Sequence, residues 1–169
     1  MTTAIHRRVA ACRAGTDRTV VARLPSGWAV MGDPQVLPGY CLLLPDPVVP
    51  HLNAMPPVER DQFLSDMARL GDAVYAATGA LRINYAMFGN VEPALHAHVF
   101  PRFETEEGAL KTAHPWGYDW NAAPRFDPVT SGALLEKIRA HLVSSGAPGP
   151  QAEVHEPAAG SLHHLDLTV

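Results

Sequence analysis

His96 and His98 are the residues of this chain whose type and spacing suggest chemistry. They close the run Asn84-Tyr-Ala-Met-Phe-Gly-Asn-Val-Glu-Pro-Ala-Leu-His-Ala-His-Val-Phe-Pro-Arg102. Residues two apart on a strand share a face, so the spacing predicts two neighbouring imidazoles with Leu95, Ala97 and Val99 turned into a core. Two imidazoles left unpaired on a buried face are costly, which favours a use for them. Three readings fit the pair. The bland one is two satisfied polar residues on a half-exposed strand. The second is half of a metal site, with His51, His114, Glu92 or Glu104 as third ligand, although no H-E-x-x-H or H-x-x-E-H spacing supports it. The third is nucleophilic: a neutral imidazole whose Nδ1 proton is held by a backbone carbonyl presents Nε2, and its neighbour can hydrogen-bond a phosphate or a leaving oxygen. Phosphoryl chemistry needs little beyond such positioning and donors for the equatorial oxygens.

The elements that must position these histidines can be read around them. A continuous apolar run, Tyr40 to Leu44, lies between the turn signal Pro38-Gly39 and Pro45 and suits a central strand covered on both faces. A helix is predicted from Pro57 to Thr78, with Pro57 at its first position, Glu59 and Asp61 in the first turn and Gly79 past its end. Phe63, Met67, Leu70, Val74 and Ala77 form its apolar stripe, which should cover the sheet. Leu81 to Phe88 and roughly 94–102 read as two further strands, paired antiparallel across a turn at Gly89-Asn90 and Pro93. A hairpin of Thr19–Leu24 and Trp28–Met31 precedes them, after a short helix over 5–14. The long segment from Glu104 to Arg125 carries Trp116, Tyr118 and Trp120, which could stack on a base or anchor a core or an interface. A last helix is expected from Asp127-Pro128 to Gly146, with Leu134, Leu135, Ile138 and Leu142 as its stripe. Residues 1–145 thus read as one domain and 146–169 as a loosely ordered tail.

Composition narrows the function classes. The 169 residues are 47% hydrophobic and 18% charged, as in a folded globular domain. A net charge of −4 argues against a protein held to nucleic acid by phosphate neutralisation. The basic N-terminal set Arg7, Arg8, Arg13, Arg18 and Arg23 reads as a solvated face. No apolar run has the length of a membrane span and no signal-peptide pattern is visible, which points to the cytoplasm. Cys12 and Cys41 form no zinc or redox pair, and Cys41 reads as a small buried hydrophobe.

The run Gly89-Asn-Val-Glu-Pro-Ala-Leu-His-Ala-His-Val-Phe-Pro-Arg102 resembles the signature of the histidine triad (HIT) family, His-φ-His-φ-His-φ-φ followed by Pro-Arg, where φ is apolar. Pro38 to Pro45 is similar to the family's upstream Pro-Gly-His-x-Leu-φ-φ-Pro strand. The resemblance spans about residues 18–104 and looks closest to a bacterial branch carrying Gly-Asn-x-x-Pro-x-Leu-His-x-His. It implies an α+β fold with a five-stranded antiparallel sheet, a covering helix and a homodimer whose sheets join. It implies hydrolysis or transfer at the α-phosphate of a nucleotide, without nucleic acid or membrane partners. No cofactor is required, with magnesium admitted alongside polyphosphate substrates. In this scheme His96 is the nucleophile and His98 binds the phosphate and helps the leaving group. Gly89 supplies the carbonyl for the nucleophile's Nδ1 proton, Asn84 and Asn90 line the phosphate site, and Asp33 meets the ribose. Arg102 either contacts phosphate or pairs with Glu104 or Glu106, and Trp116 is a candidate for stacking on the base. Three positions depart from the family: Ala94 stands for the first histidine, Tyr40 for the histidine after Pro-Gly, and Asp46 for a basic residue. The departures imply weaker support for the nucleophile from its neighbours, and a protein that binds nucleotide without turnover is the alternative.

Overall fold

The computed structural model describes residues 2–144; the expected tail from 146, and the stop at Gly146, lie outside the described residues. Five strands form one antiparallel sheet in the order β1-β2-β3-β5-β4: β1 Val20–Leu24, β2 Gly27–Met31, β3 Cys41–Pro45, β4 Arg82–Ala86 and β5 Ala97–Arg102. The helices are α1 Ala4–Arg13, α2 Pro57–Thr78 and α3 Pro128–Ser144. The α+β class, the five strands and the covering helix are as read from the sequence.

Local chemistry accounts for these bounds. Thr3 and His6 form a reciprocal capping box at the start of α1. Pro57 opens α2, and Gly79 closes it with φ +67°, a conformation that costs glycine nothing. The β1–β2 turn is tied down by the fully buried Asp66 of α2, whose carboxylate accepts from the Ser26 N–H at 2.9 Å and hydroxyl at 2.7 Å. Asp46, where the family pattern has a base, gathers Trp28 Nε1 at 2.9 Å together with Arg13 and Arg23, so it belongs to the scaffold.

The sheet is covered on both faces, as the uninterrupted apolar character of β3 requires. One face packs on α2 and α3, burying Phe63, Leu70, Val74, Leu135, Ile138 and Leu142 against Leu43, Ala97 and Val99. The other packs on α1, burying Ile5 and Val9 with Leu42, Leu44, Ala94 and Phe100. The strand expected over 94–102 begins only at Ala97, and β4 is likewise trimmed to five residues. The reason is a hydrogen bond from the Leu95 N–H to the Val49 carbonyl at 2.8 Å, which draws the chain before Ala97 onto the 46–50 segment. His96 therefore sits at the mouth of β5 and not on a strand.

Candidate active site

His96 and His98 are both buried, and their rings lie 4.8 Å apart at an interplanar angle of 70°. Each imidazole is held through Nδ1, and the two holds are of opposite sense. His96 Nδ1 lies 2.8 Å from the carbonyl of Ala94. A carbonyl only accepts, so the proton is on Nδ1 and the lone pair is on Nε2. His98 Nδ1 lies 2.7 Å from the Tyr40 hydroxyl. Burial keeps the Tyr40 phenol protonated, and among the described residues its buried hydroxyl has no other acceptor, so it donates to His98. His98 Nδ1 is then the acceptor and its Nε2 carries the hydrogen. One imidazole presents a lone pair and the other an N–H.

Burial, and then the neighbouring charge of His96, lower the pKa of His98 to about 4. Because the folded value lies below the ordinary 6.5, the unfolded chain takes up this proton first as pH falls. The stability is intact above about pH 6.5 and is lost toward pH 4, by about 3 kcal/mol if fully expressed. Thermal melts at pH 7 and pH 4.5 should show this loss in the parent protein and a clearly smaller one in His98→Gln. Equal losses would refute the assignment.

The Tyr40 position departs from the family pattern without weakening this hold. The Tyr40 ring stacks on Phe100 at 4.5 Å and lies parallel to His98, 5.9 Å away. Gly32 makes room for it, since a Cβ there would fall 2.0 Å from the Tyr40 ring. Register explains the placement: Leu42 pairs with His98, so Tyr40 lies two residues along on the same face. That signal was present in Pro38-Gly39-Tyr40.

His96 lines a cleft of about 270 Å³ with His51, Asn53, Phe88, Gly89 and Ala94. The expected role of Gly89 is corrected: it borders this cleft, but the carbonyl that holds the His96 proton is that of Ala94. Asn90 is exposed beside the cleft and does not line it. Asn84 lies on the histidine face of β4, opposite Phe100, and lines a neighbouring slot with Phe88 and Trp116. Trp116 stands edge-on to His98 at 5.2 Å and to Phe100 at 5.5 Å, which places it over the pair while it remains partly exposed.

Two candidate ligand residues, Arg102 and Asp33, have protein partners. Arg102 is buried and spends its guanidinium on Glu106, at 2.7 Å, and on the carbonyls of Leu110 and Ala113. Glu106 also accepts from the Tyr118 hydroxyl and the Phe103 N–H. Asp33 accepts from Arg125 at 2.8 Å and from the Phe126 N–H at 3.0 Å, and does not line the His96 cleft. Together they clasp the two ends of the 103–126 segment that carries Trp116. Among the described residues, no three His, Cys, Asp or Glu side chains come together to hold a metal, and Glu104 pairs with Lys111.

The comparisons identify the fold and the family. The HIT domain family matches residues 15–105. A histidine triad protein of Bradyrhizobium japonicum is 21% identical over 77% of this chain and 94% of its own, with a TM-score of 0.65. One from Marinobacter aquaeolei VT8 is 18% identical over 85% and 98%, with a TM-score of 0.67. A hypothetical histidine triad nucleotide-binding protein of Sulfolobus tokodaii strain 7 is 14% identical over 80% and 91%, with a TM-score of 0.64. At these identities the likeness shows the fold. No curated protein matches the chain. With a match covering more than half of its length and a histidine pair built as above, the chain belongs to the HIT family.

Proposed function

We propose that the protein is a nucleotide hydrolase or nucleotidyl transferase that acts at the α-phosphate through a nucleotidyl intermediate on His96. The observation that carries this reading is the opposed hydrogen bonding of the two imidazoles. His96 Nε2 attacks phosphorus, an N–P bond forms, and the bond from phosphorus to the leaving group breaks with its electron pair departing on that group. The Nδ1 proton stays on His96 against the Ala94 carbonyl, which stabilises the charge that develops on the ring. The His98 N–H donates to an oxygen of the phosphate in transit. Water, or another acceptor, then attacks the same phosphorus, gives up a proton to solvent and releases His96. Candidate substrates are dinucleoside polyphosphates, nucleoside phosphoramidates and adenylylated molecules. No cofactor enters the scheme, and magnesium would arrive as counter-ion of a polyphosphate.

Asn84, Gly89 and Trp116 are proposed to contact the ligand, since they border the cleft and the slot beside it. The outer strand β4, with Leu81, Tyr85 and Phe88 exposed around it, is the proposed seat of a homodimer. Among the described residues no helix is long and apolar enough to cross a membrane.

The test is to quench the protein rapidly with each candidate substrate at alkaline pH, where N–P bonds survive, and to map any nucleotidyl mass increment. An increment on His96 is expected; turnover without any covalent adduct would overturn the mechanism. The alternative, binding without turnover, is favoured by the missing first histidine at Ala94. It predicts that AMP raises the melting temperature while no candidate is cleaved.

A further inference from the structure

The cleft at His96 holds another imidazole that the histidine pair does not account for. His51 borders it, on the segment that runs between β3 and α2. At about 270 Å³ the cleft lies at the small end of ligand sites, which run from about 300 to 1,000 Å³. A group that fills it is therefore bordered by both His96 and His51. The backbone of His51 is fixed on either side. Two residues before it, the Val49 carbonyl accepts at 2.8 Å from the N–H of Leu95, the residue preceding His96. Its own carbonyl accepts from the Ala54 N–H at 3.0 Å, which opens the short turn Leu52–Ala54.

The ring of His51 is left unspent. It caps no turn, is exposed, and has no hydrogen-bond or ion-pair partner among the described residues. Both of its nitrogens are open to exchange protons with solvent. Besides His96 and His51, no described residue that borders the cleft carries a titratable side chain. The histidine pair itself is poorly placed to move a proton. His96 forms a bond through Nε2 and keeps its Nδ1 proton against the Ala94 carbonyl. His98 is held neutral by the Tyr40 hydroxyl, and the N–H of a neutral imidazole donates a hydrogen bond without readily giving up its proton. A proton for a departing group has to come from elsewhere.

We propose that His51 is the acid–base residue of this site, protonating the leaving group and then taking a proton from the attacking water. The proposal rests on reading the cleft as the seat of nucleotidyl transfer to His96. In the first step the N–P bond to His96 forms and the bond from phosphorus to the leaving atom breaks. Its electron pair stays on that atom, which takes the proton of the His51 imidazolium. In the second step water attacks phosphorus and neutral His51 takes a proton from it. The N–P bond then breaks with its electron pair returning to His96 Nε2, and His51 ends protonated as it began. This assigns to the site leaving groups that must depart with a proton, such as the amine of a nucleoside phosphoramidate. His51 lies outside both stretches that resemble the family pattern, 38–45 and 89–102. It brings an imidazole to the cleft that Ala94, the departure from that pattern, also borders.

The test uses the full chain and two derivatives of AMP. Adenosine 5′-phosphoramidate loses an amine that must be protonated to leave, whereas the 4-nitrophenyl ester of AMP loses a phenolate that needs no proton. Single-turnover loss of each substrate reports the first step alone. His51→Gln, an exposed substitution outside the core, should slow the phosphoramidate at least about tenfold more than the ester, as removal of a general acid does. Equal losses with the two substrates, or no loss with the phosphoramidate, refute the role of His51, while a nucleotidyl adduct on His96 leaves the wider reading standing. If His96→Ala cleaves either substrate as fast as the parent, or the parent cleaves neither, that reading fails and the proposal with it.

Discussion

Replacing His96 by Ala is expected to lower turnover of the protein's substrate by at least about 10³-fold, roughly 4 kcal/mol of transition-state stabilisation. The size follows from what is removed. Of the pair, His96 presents a free Nε2 to the cleft, because its other nitrogen is committed to the Ala94 carbonyl. His98 cannot take over the attack, since the Tyr40 phenol holds its Nδ1 and leaves a hydrogen on Nε2. His98→Ala should cost less, about 10²-fold, because it removes a donor and not the bond-forming atom. Single-turnover rates of the two variants with one substrate check the ranking. Comparable losses, or residual activity above a tenth in His96→Ala, would reverse the assignment of roles.

Arg102→Met is expected to destabilise the fold by about 3–5 kcal/mol, the usual cost of leaving one partner of a buried ion pair alone. Arg102 and Glu106 are both nearly excluded from solvent. Removing the guanidinium also takes a donor from the carbonyls of Ala113 and Leu110, of which Leu110 keeps the Ala113 N–H. Glu106 keeps the Tyr118 hydroxyl and the Phe103 N–H, which holds the loss toward the lower end. Chemical denaturation measures the change, and Arg102→Met combined with Glu106→Gln should recover part of it. A phosphate-binding Arg102 would behave differently: it would lose affinity for nucleotide with stability intact.

These two residues mark where the sequence was legible and where it was not. α2 runs from Pro57 to Thr78 as read, because a proline and a glycine punctuate it and its stripe keeps one period throughout. The both-sided cover of β3 was legible for the same reason: five apolar residues in a row leave no face for water. The histidine pair was recognisable by type and spacing, but its hydrogen bonds were not. Which carbonyl meets His96 depends on how residues 89–95 turn, and that turn is set by a bond to Val49, far away in sequence. Arg102 illustrates a different limit. Its neighbours Glu104 and Glu106 were both within reach along the chain, and only the closing of the 103–126 segment buries one of them with it. The partners that Asp33 takes, Arg125 and the Phe126 N–H, were not legible because they lie more than ninety residues on. Tyr40 counted as a loss by comparison of residue types, whereas strand register makes it a replacement.

Ala94 has a consequence for anyone wishing to rebuild the family's full set of histidines in this scaffold. Its methyl group is all but inaccessible and lies in the same buried cluster as Ile5 and Val9 of α1 and Phe100 of β5. An imidazole grafted there would enter a cluster that is already closed, at a cost of about 1–3 kcal/mol for overpacking. The graft would also pull on the carbonyl that keeps the His96 proton in place. α1 is moored to the same stretch through the Ala4 N–H and the Glu92 carboxylate at 3.1 Å, so the two cannot be redesigned separately. A histidine at position 94 therefore calls for a new seat for α1 as well.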